Sequence, residues 1–105
     1  MSLDSRDRRV MRRIGHHLDP VVIVGDGGVS EGLINETDRA LTDHELIKVR
    51  LPAAEREDRR ALADALCEAC KAEMVQSIGR VILIYRKAAE PDPKKSNVLR
   101  HQLAR

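Results

Sequence analysis

At 105 residues and a net charge of +2, the chain has the size of one domain with one modest core. Tyr85 is its only aromatic residue, so the core must be aliphatic, and readers that stack bases on exposed aromatics are excluded. No run approaches the roughly 18–20 apolar residues of a membrane span, and residues 1–6 show no apolar signal region, so a cytoplasmic protein without a membrane partner is expected.

Ser5 is placed to cap a first helix that runs to about His17. Val10, Met11, Ile14 and Leu18 form its apolar stripe. Arg6, Arg9 and Arg13 line a second face, with Arg8 and Arg12 beside it. Asp19-Pro20 ends the helix, because the residue before a proline disfavours helical geometry. Residues 21–24, Val-Val-Ile-Val, read as a strand buried on both faces. Gly25, Asp26, Gly27 and Gly28 form a loop, and Ser30 caps a second helix over about 30–43. Its inward face is Leu33, Ile34, Thr37, Ala40 and Leu41. Residues 45–51 alternate, with Ile47, Val49 and Leu51 pointing one way and Lys48 and Arg50 the other. A third helix, about 55–72, places Leu62, Ala65, Leu66, Ala69 and Cys70 inward, and its acidic first turn (Glu55, Glu57, Asp58) suits the helix dipole. Residues 74–78 and 81–85 are two strands joined by a tight turn at Gly79-Arg80. Periodicity is lost after Arg86, apart from a short helical turn at Val98, Leu99 and Leu103.

The order α-β-α-β-α-β-β defines an α/β fold, a single compact domain in which helices pack on a four-stranded mixed sheet. The two crossovers imply parallel strand pairs and the final hairpin an antiparallel one. Residues 5–86 form the domain, and residues 87–105 read as a basic, flexible tail. Charge is unevenly spread: residues 1–17 carry +3 and residues 86–105 carry +4, which leaves −5 of the total +2 for the middle. Basic ends suggest an anionic partner, although solvated charge is also the ordinary state of a surface.

The strand, glycine loop and helix start at residues 21–32 form a concavity of backbone amides that suits a phosphate. A dinucleotide fingerprint fails because Ser30 stands where the third glycine is needed, and a phosphate-binding P-loop fails for want of Gly-Lys-Ser/Thr. A GxxG loop ahead of a helix remains, a device that some RNA binders use to hold a nucleotide backbone, and one that also occurs as a plain structural turn. Cys67 and Cys70 form a C-x-x-C, but late in a helix rather than at its N-terminus, and no second pair completes a zinc site. They read as small apolar helix residues. The histidines (His16, His17, His44, His101) make no metal or catalytic spacing, so no metal, cofactor or enzymatic activity is expected.

Several strings together resemble the CRM domain family (chloroplast RNA splicing and ribosome maturation), and its single-domain bacterial YhbY-like branch best. These are Pro20 through Gly32, Ala40-Leu41, His44 through Val49, Ile78-Gly79 and Ile82 through Arg86. The resemblance covers about residues 5–86, in order and at similar spacings. It implies an α-β-α-β-α-β-β domain similar to the C-terminal domain of bacterial translation initiation factor three. It maps the family's GxxG loop onto Gly25 to Gly28. Family members bind RNA; the bacterial stand-alone ones associate with precursors of the large ribosomal subunit, and plant relatives act in group II intron splicing. No enzymatic activity or cofactor is carried over. Asp26 departs from the small polar or basic residues common at that position in relatives, and its repulsion of a phosphate is on the order of 1 kcal/mol in a wet setting.

The expected function is therefore RNA binding, with precursor ribosomal RNA in an assembling large subunit as partner and the protein a monomer. Candidate RNA-contacting residues are Gly25, Asp26, Gly27 and Gly28 in the loop, with Gly27 and Gly28 acting through their backbone. Arg9, Arg12 and Arg13 on the first helix, with Lys48, Arg50, Arg80 and Arg86, supply charge. The alternatives are a protein-interaction module of the ribosome with incidental RNA contact, and a thiol-based redox regulator acting through Cys67 and Cys70.

Overall fold

The computed structural model describes residues 3–103. The elements are α1 (Ser5–Gly15), β1 (Pro20–Ile23), α2 (Glu31–His44), β2 (Leu46–Arg50), α3 (Arg56–Cys70), β3 (Glu73–Ile78), β4 (Val81–Tyr85) and α4 (Asn97–Leu103). The cap of α1 is Asp4 rather than Ser5; its carboxylate accepts from the Asp7 amide at 2.8 Å. Ser30 caps α2 as its sequence position suggests, accepting from the Leu33 amide.

The four strands form one sheet in the order β1-β2-β4-β3. β1 and β2 are parallel neighbours, while β2–β4 and β4–β3 are antiparallel. β3 therefore runs parallel to β2 without pairing to it, because β4 inserts between them. The reason is apolarity: Ile82, Leu83 and Ile84 are 2% exposed or less and need cover on both faces, which only a central position supplies.

Each face of the sheet has its own core. On one, α2 and α3 cover Val22, Val24, Ile47, Val49, Ile82 and Ile84. On the other, Met11 and Ile14 of α1 cover Leu46, Val75 and Leu83, with Tyr85 and Val98 at the margin. A Cβ on Gly15 would stand 2.5 Å from a Leu83 methyl, so glycine at the end of α1 is what allows the helix to lie this close to the sheet. Arg8 pins α1 from the other side, donating to the Met74 carbonyl at 2.6 Å and pairing with Glu73.

Three further expectations are corrected. The run at residues 21–24 is not buried on both faces: β1 is an edge strand, and Val21 and Ile23 are 50% and 66% exposed because α1 covers only β2, β4 and β3. The buried face of α3 is Ala63, Leu66, Cys67 and Cys70, with Ala65 and Ala69 exposed, so the helix is rotated relative to its apolar pattern. The segment after Arg86, read as a flexible tail, docks on the domain as far as it is described. Ala88, Ser96 and Asn97 are buried, and the Asn97 amide donates to the Leu46 carbonyl at 2.7 Å. Residues 104–105 of that expected tail lie outside the described residues.

Candidate nucleic-acid interface

The parallel β1–β2 pair and the β3–β4 hairpin bring three connections to one end of the sheet. These are the glycine loop after β1, the turn after β2 and the hairpin tip at Gly79-Arg80. Backbone bonds tie them together. The Val24 amide donates to the Arg50 carbonyl at 2.8 Å, and the Leu51 amide to the Arg80 carbonyl at 2.6 Å. The Arg80 Nε returns a bond to the Leu51 carbonyl at 3.1 Å. The glycine loop and Arg50 and Arg80 thus belong to one surface, as their chemistry suggested.

Inside the loop the glycines differ in task. Gly28 has φ +69°, and its amide closes a turn onto the Gly25 carbonyl at 3.0 Å. A Cβ added there would stand 3.5 Å from a Leu62 methyl of α3. Gly28 is therefore a hinge of the turn, and its N–H, expected to meet a phosphate, is already used. Among the described residues the amides of Asp26 and Gly27 have no acceptor, and neither do those of Glu31 and Gly32 opening α2. Added side chains at Gly25 and Gly27 would meet open space. These outward amides, with the positive end of α2 behind them, make the anion-facing part of the loop.

Lys48 and Arg50 project from the sheet face that α1 leaves open. With Arg12 and His16 at the end of α1 they line a groove of about 480 Å³ whose floor includes Leu18, Val81, Leu83 and Ile78; Asp19 is its one acid. Arg9 and Arg13 are exposed on α1 but do not line this groove. Only two ion pairs form among the described residues, Arg8–Glu73 and Arg86–Asp38, so Arg9, Arg12, Arg13, Lys48 and Arg50 face no acid partner there.

Arg86 does not belong with them. It follows β4 at the opposite end of the sheet, and both terminal nitrogens of its guanidinium are engaged. It donates to Asp38 Oδ1 at 2.6 Å, the Asp38 carbonyl at 3.0 Å, Thr42 Oγ1 at 2.9 Å and the Cys70 carbonyl at 3.0 Å. Its function is to clamp α2 to the end of α3.

A cluster that the sequence reading passed over stands on the other side of the hairpin. Arg56, Arg59 and Arg60, with Gly79, Ser77 and Met74, line a second groove of about 710 Å³, in which Asp64 is the acid. Arg59 is anchored to the Ala54 carbonyl at 2.7 Å. Spacing i, i+3, i+4 was the available signal, since it puts the three on one helical face.

The thiols are withdrawn from chemistry. Cys67 and Cys70 are 9% and 3% exposed. Burial, reinforced by Asp64, pushes the Cys67 thiol up to about 11. Burial also raises Cys70, whose Sγ lies 3.7 Å from the Ile34 carbonyl. Little thiolate is available at neutral pH for the redox alternative. Tyr85 is half-buried beneath α1, so among the described residues no Phe, Tyr or Trp stands exposed on the open face, and His16 is the ring that lines its groove. No group of three or more His, Cys, Asp or Glu among the described residues is placed to hold a metal ion, and no described helix is long and apolar enough to cross a membrane.

The chain is also similar to known proteins. Residues 3–86 match the CRS1 / YhbY (CRM) domain. A "probable RNA-binding protein" of Pseudomonas aeruginosa is 50% identical over 100 residues, spanning 95% of this chain and 96% of the relative. An "RNA-binding protein" of Haemophilus influenzae is 37% identical over 89 residues, spanning 85% of this chain and 90% of the relative. Among solved structures, a Staphylococcus aureus protein studied in solution as an RNA-binding candidate superposes with a TM-score of 0.74. It is 38% identical and covers 85% of this chain and 93% of its own.

Proposed function

The chain belongs to the CRS1 / YhbY (CRM) domain family, and on that footing we propose that it binds RNA at the loop end of its sheet. The observation that carries the proposal is the gathering, at that end, of cations without acid partners beside backbone amides without acceptors. Phosphate answers both. The Asp26 and Gly27 amides and the start of α2 meet one phosphate. Arg12, Lys48, Arg50 and Arg80 carry the backbone across the open sheet face. Arg9 and Arg13 add a diffuse field from α1, and Arg56 and Arg60 extend the positive surface past the hairpin. Recognition rests on backbone shape and charge more than on base edges. The partner in the cell is precursor ribosomal RNA in an assembling large subunit, met in the cytoplasm by a monomer of this protein.

A salt titration of binding to a structured fragment of large-subunit ribosomal RNA tests the electrostatic core of the proposal. Log affinity falls linearly with log salt, by close to one power of ten per decade of salt for each phosphate neutralised. A flat response would remove the phosphate track. In-cell crosslinking followed by sequencing of the bound RNA tests the partner, and recovery of RNAs other than ribosomal precursors would overturn that part.

A further inference from the structure

The open sheet face carries more than charge. Its outermost row crosses all four strands in register, Ile23–Arg50–Val81–Ile78, and the next row runs Pro20–Lys48–Leu83–Gln76. Ile23 and Ile78 are each 66% exposed and Val21 50%; they are the large apolar side chains left in water among the described residues. Cations and aliphatic groups thus share this face. Lys48 and Arg50 line the groove of about 480 Å³, a volume within the range of small-ligand sites, with Val81, Leu83 and Ile78. Ile23 stands beside Arg50 at its edge.

We infer that this groove takes an unpaired nucleotide of the bound RNA, with its base laid on the aliphatic floor at Val81 and Ile78 and its phosphates at Lys48 and Arg50. The inference rests on the RNA-binding proposal and adds the class of RNA. In a duplex the base faces are stacked and hidden and only groove edges and backbone are presented, so a duplex has no use for an apolar floor. An unstacked base exposes a flat face whose burial against aliphatic groups is favourable, as with the Ile, Leu and Met wedges that other proteins press against unstacked bases. A protein partner fits less well. Lys48 and Arg50 stand within the apolar patch rather than around it, and the buried centres of protein interfaces are depleted of lysine. The absence of Phe and Trp makes this contact weaker than aromatic stacking, which suits one or a few nucleotides rather than a long single strand.

The test compares a short blunt RNA duplex with the same duplex bearing a short unpaired overhang, using the full chain and the Ile78→Ser and Ile23→Ser variants. Both positions are largely exposed, so an unchanged melting temperature serves as the fold control. The overhang is expected to raise affinity about tenfold, and Ile78→Ser to abolish that gain while leaving duplex affinity unchanged. Methyl resonances of Val81 and Ile78 should shift with the overhang RNA and not with the blunt duplex. Equal affinity for both RNAs, with Ile78→Ser silent, would overturn the inference and leave RNA binding intact. Failure of both RNAs to bind would remove the RNA-binding proposal itself. Sedimentation showing a dimer that Ile78→Ser dissolves would assign the apolar face to a second copy of this chain instead.

Discussion

The two ends of the sheet handle the same residue types in opposite ways. At the Arg86 end the key polar groups are answered by the chain itself. Arg86 makes four bonds, and the Glu45 carboxylate accepts from the Ala88 amide at 2.8 Å and from Ser96 Oγ at 2.6 Å. At the loop end, Lys48 and Arg50 pair with no acid of the described residues, and the Asp26 and Gly27 amides have no acceptor there. A polar group that already has its partners is structural. One left without partners at a surface costs little in water and is available to a ligand. Charge alone does not separate the two roles, since Arg86 and Arg50 are the same residue type in one small sheet.

The sharpest way to break this contrast is to reverse charge at the open end. Lys48→Glu combined with Arg50→Glu should weaken RNA binding by about a hundredfold, and each should shave close to one from the salt slope. Stability should be unchanged, because Arg50 is exposed and Lys48 half-buried without a partner acid. A mutant that unfolds would show these residues to be structural.

At the other end the expectation inverts. Glu45→Ala orphans two buried donors and should lower stability by about 2–4 kcal/mol with RNA affinity intact. Arg86→Ala should lower it by about 1–3 kcal/mol, again without an affinity change. Denaturant unfolding and filter binding on the same preparations decide both cases. A fall in affinity with Arg86→Ala would return that residue to the interface.

Within the loop, the contrast narrows to adjacent residues. Gly27→Glu should weaken RNA binding about tenfold at constant stability, since its side chain enters open space beside the free amides. Gly28→Glu should lower both, because a side chain at φ +69° carries strain of about 1–2 kcal/mol. Equal behaviour of the two variants would erase the distinction between anion contact and turn hinge.

The smallest effect concerns Cys67. Its folded thiol is raised from 9.0 to about 11 by burial and then by Asp64. The unfolded chain ionises first, so the stability contributed by the protonated thiol is complete below about pH 9 and is lost as pH climbs towards 11. Cys67→Ala should flatten that decline in thermal melts. Alkylation at neutral pH should be slow at both cysteines in the folded protein; fast labelling would reopen the thiol alternative.

Much of the fold was legible because local periodicity carries it. Alternation at Ile47, Lys48, Val49, Arg50 and Leu51 placed each side chain on its correct face, and the apolar run at residues 81–85 is an interior strand. Ser30 and the Gly25-to-Gly28 turn were readable from capping and turn chemistry, which act over a few residues. The candidate site was legible in part. The loop, Lys48, Arg50 and Arg80 lie at one end of the sheet with Arg12 beside the same groove, whereas Arg86 lies at the opposite end, and the helical row Arg56, Arg59, Arg60 was not among the candidates.

By itself, then, the sequence determined which elements form, which face of most of them is apolar, and that a glycine turn precedes a capped helix. Only the tertiary structure decided that β4 lies between β2 and β3, and that β1 is an edge with Val21 and Ile23 in water. It likewise decided which arginines are spent on internal carbonyls. Side-chain period is a property of neighbours along the chain. Burial and hydrogen-bond satisfaction depend on residues far away in sequence, as Arg86 depends on Asp38 and Thr42, and no local pattern encodes them.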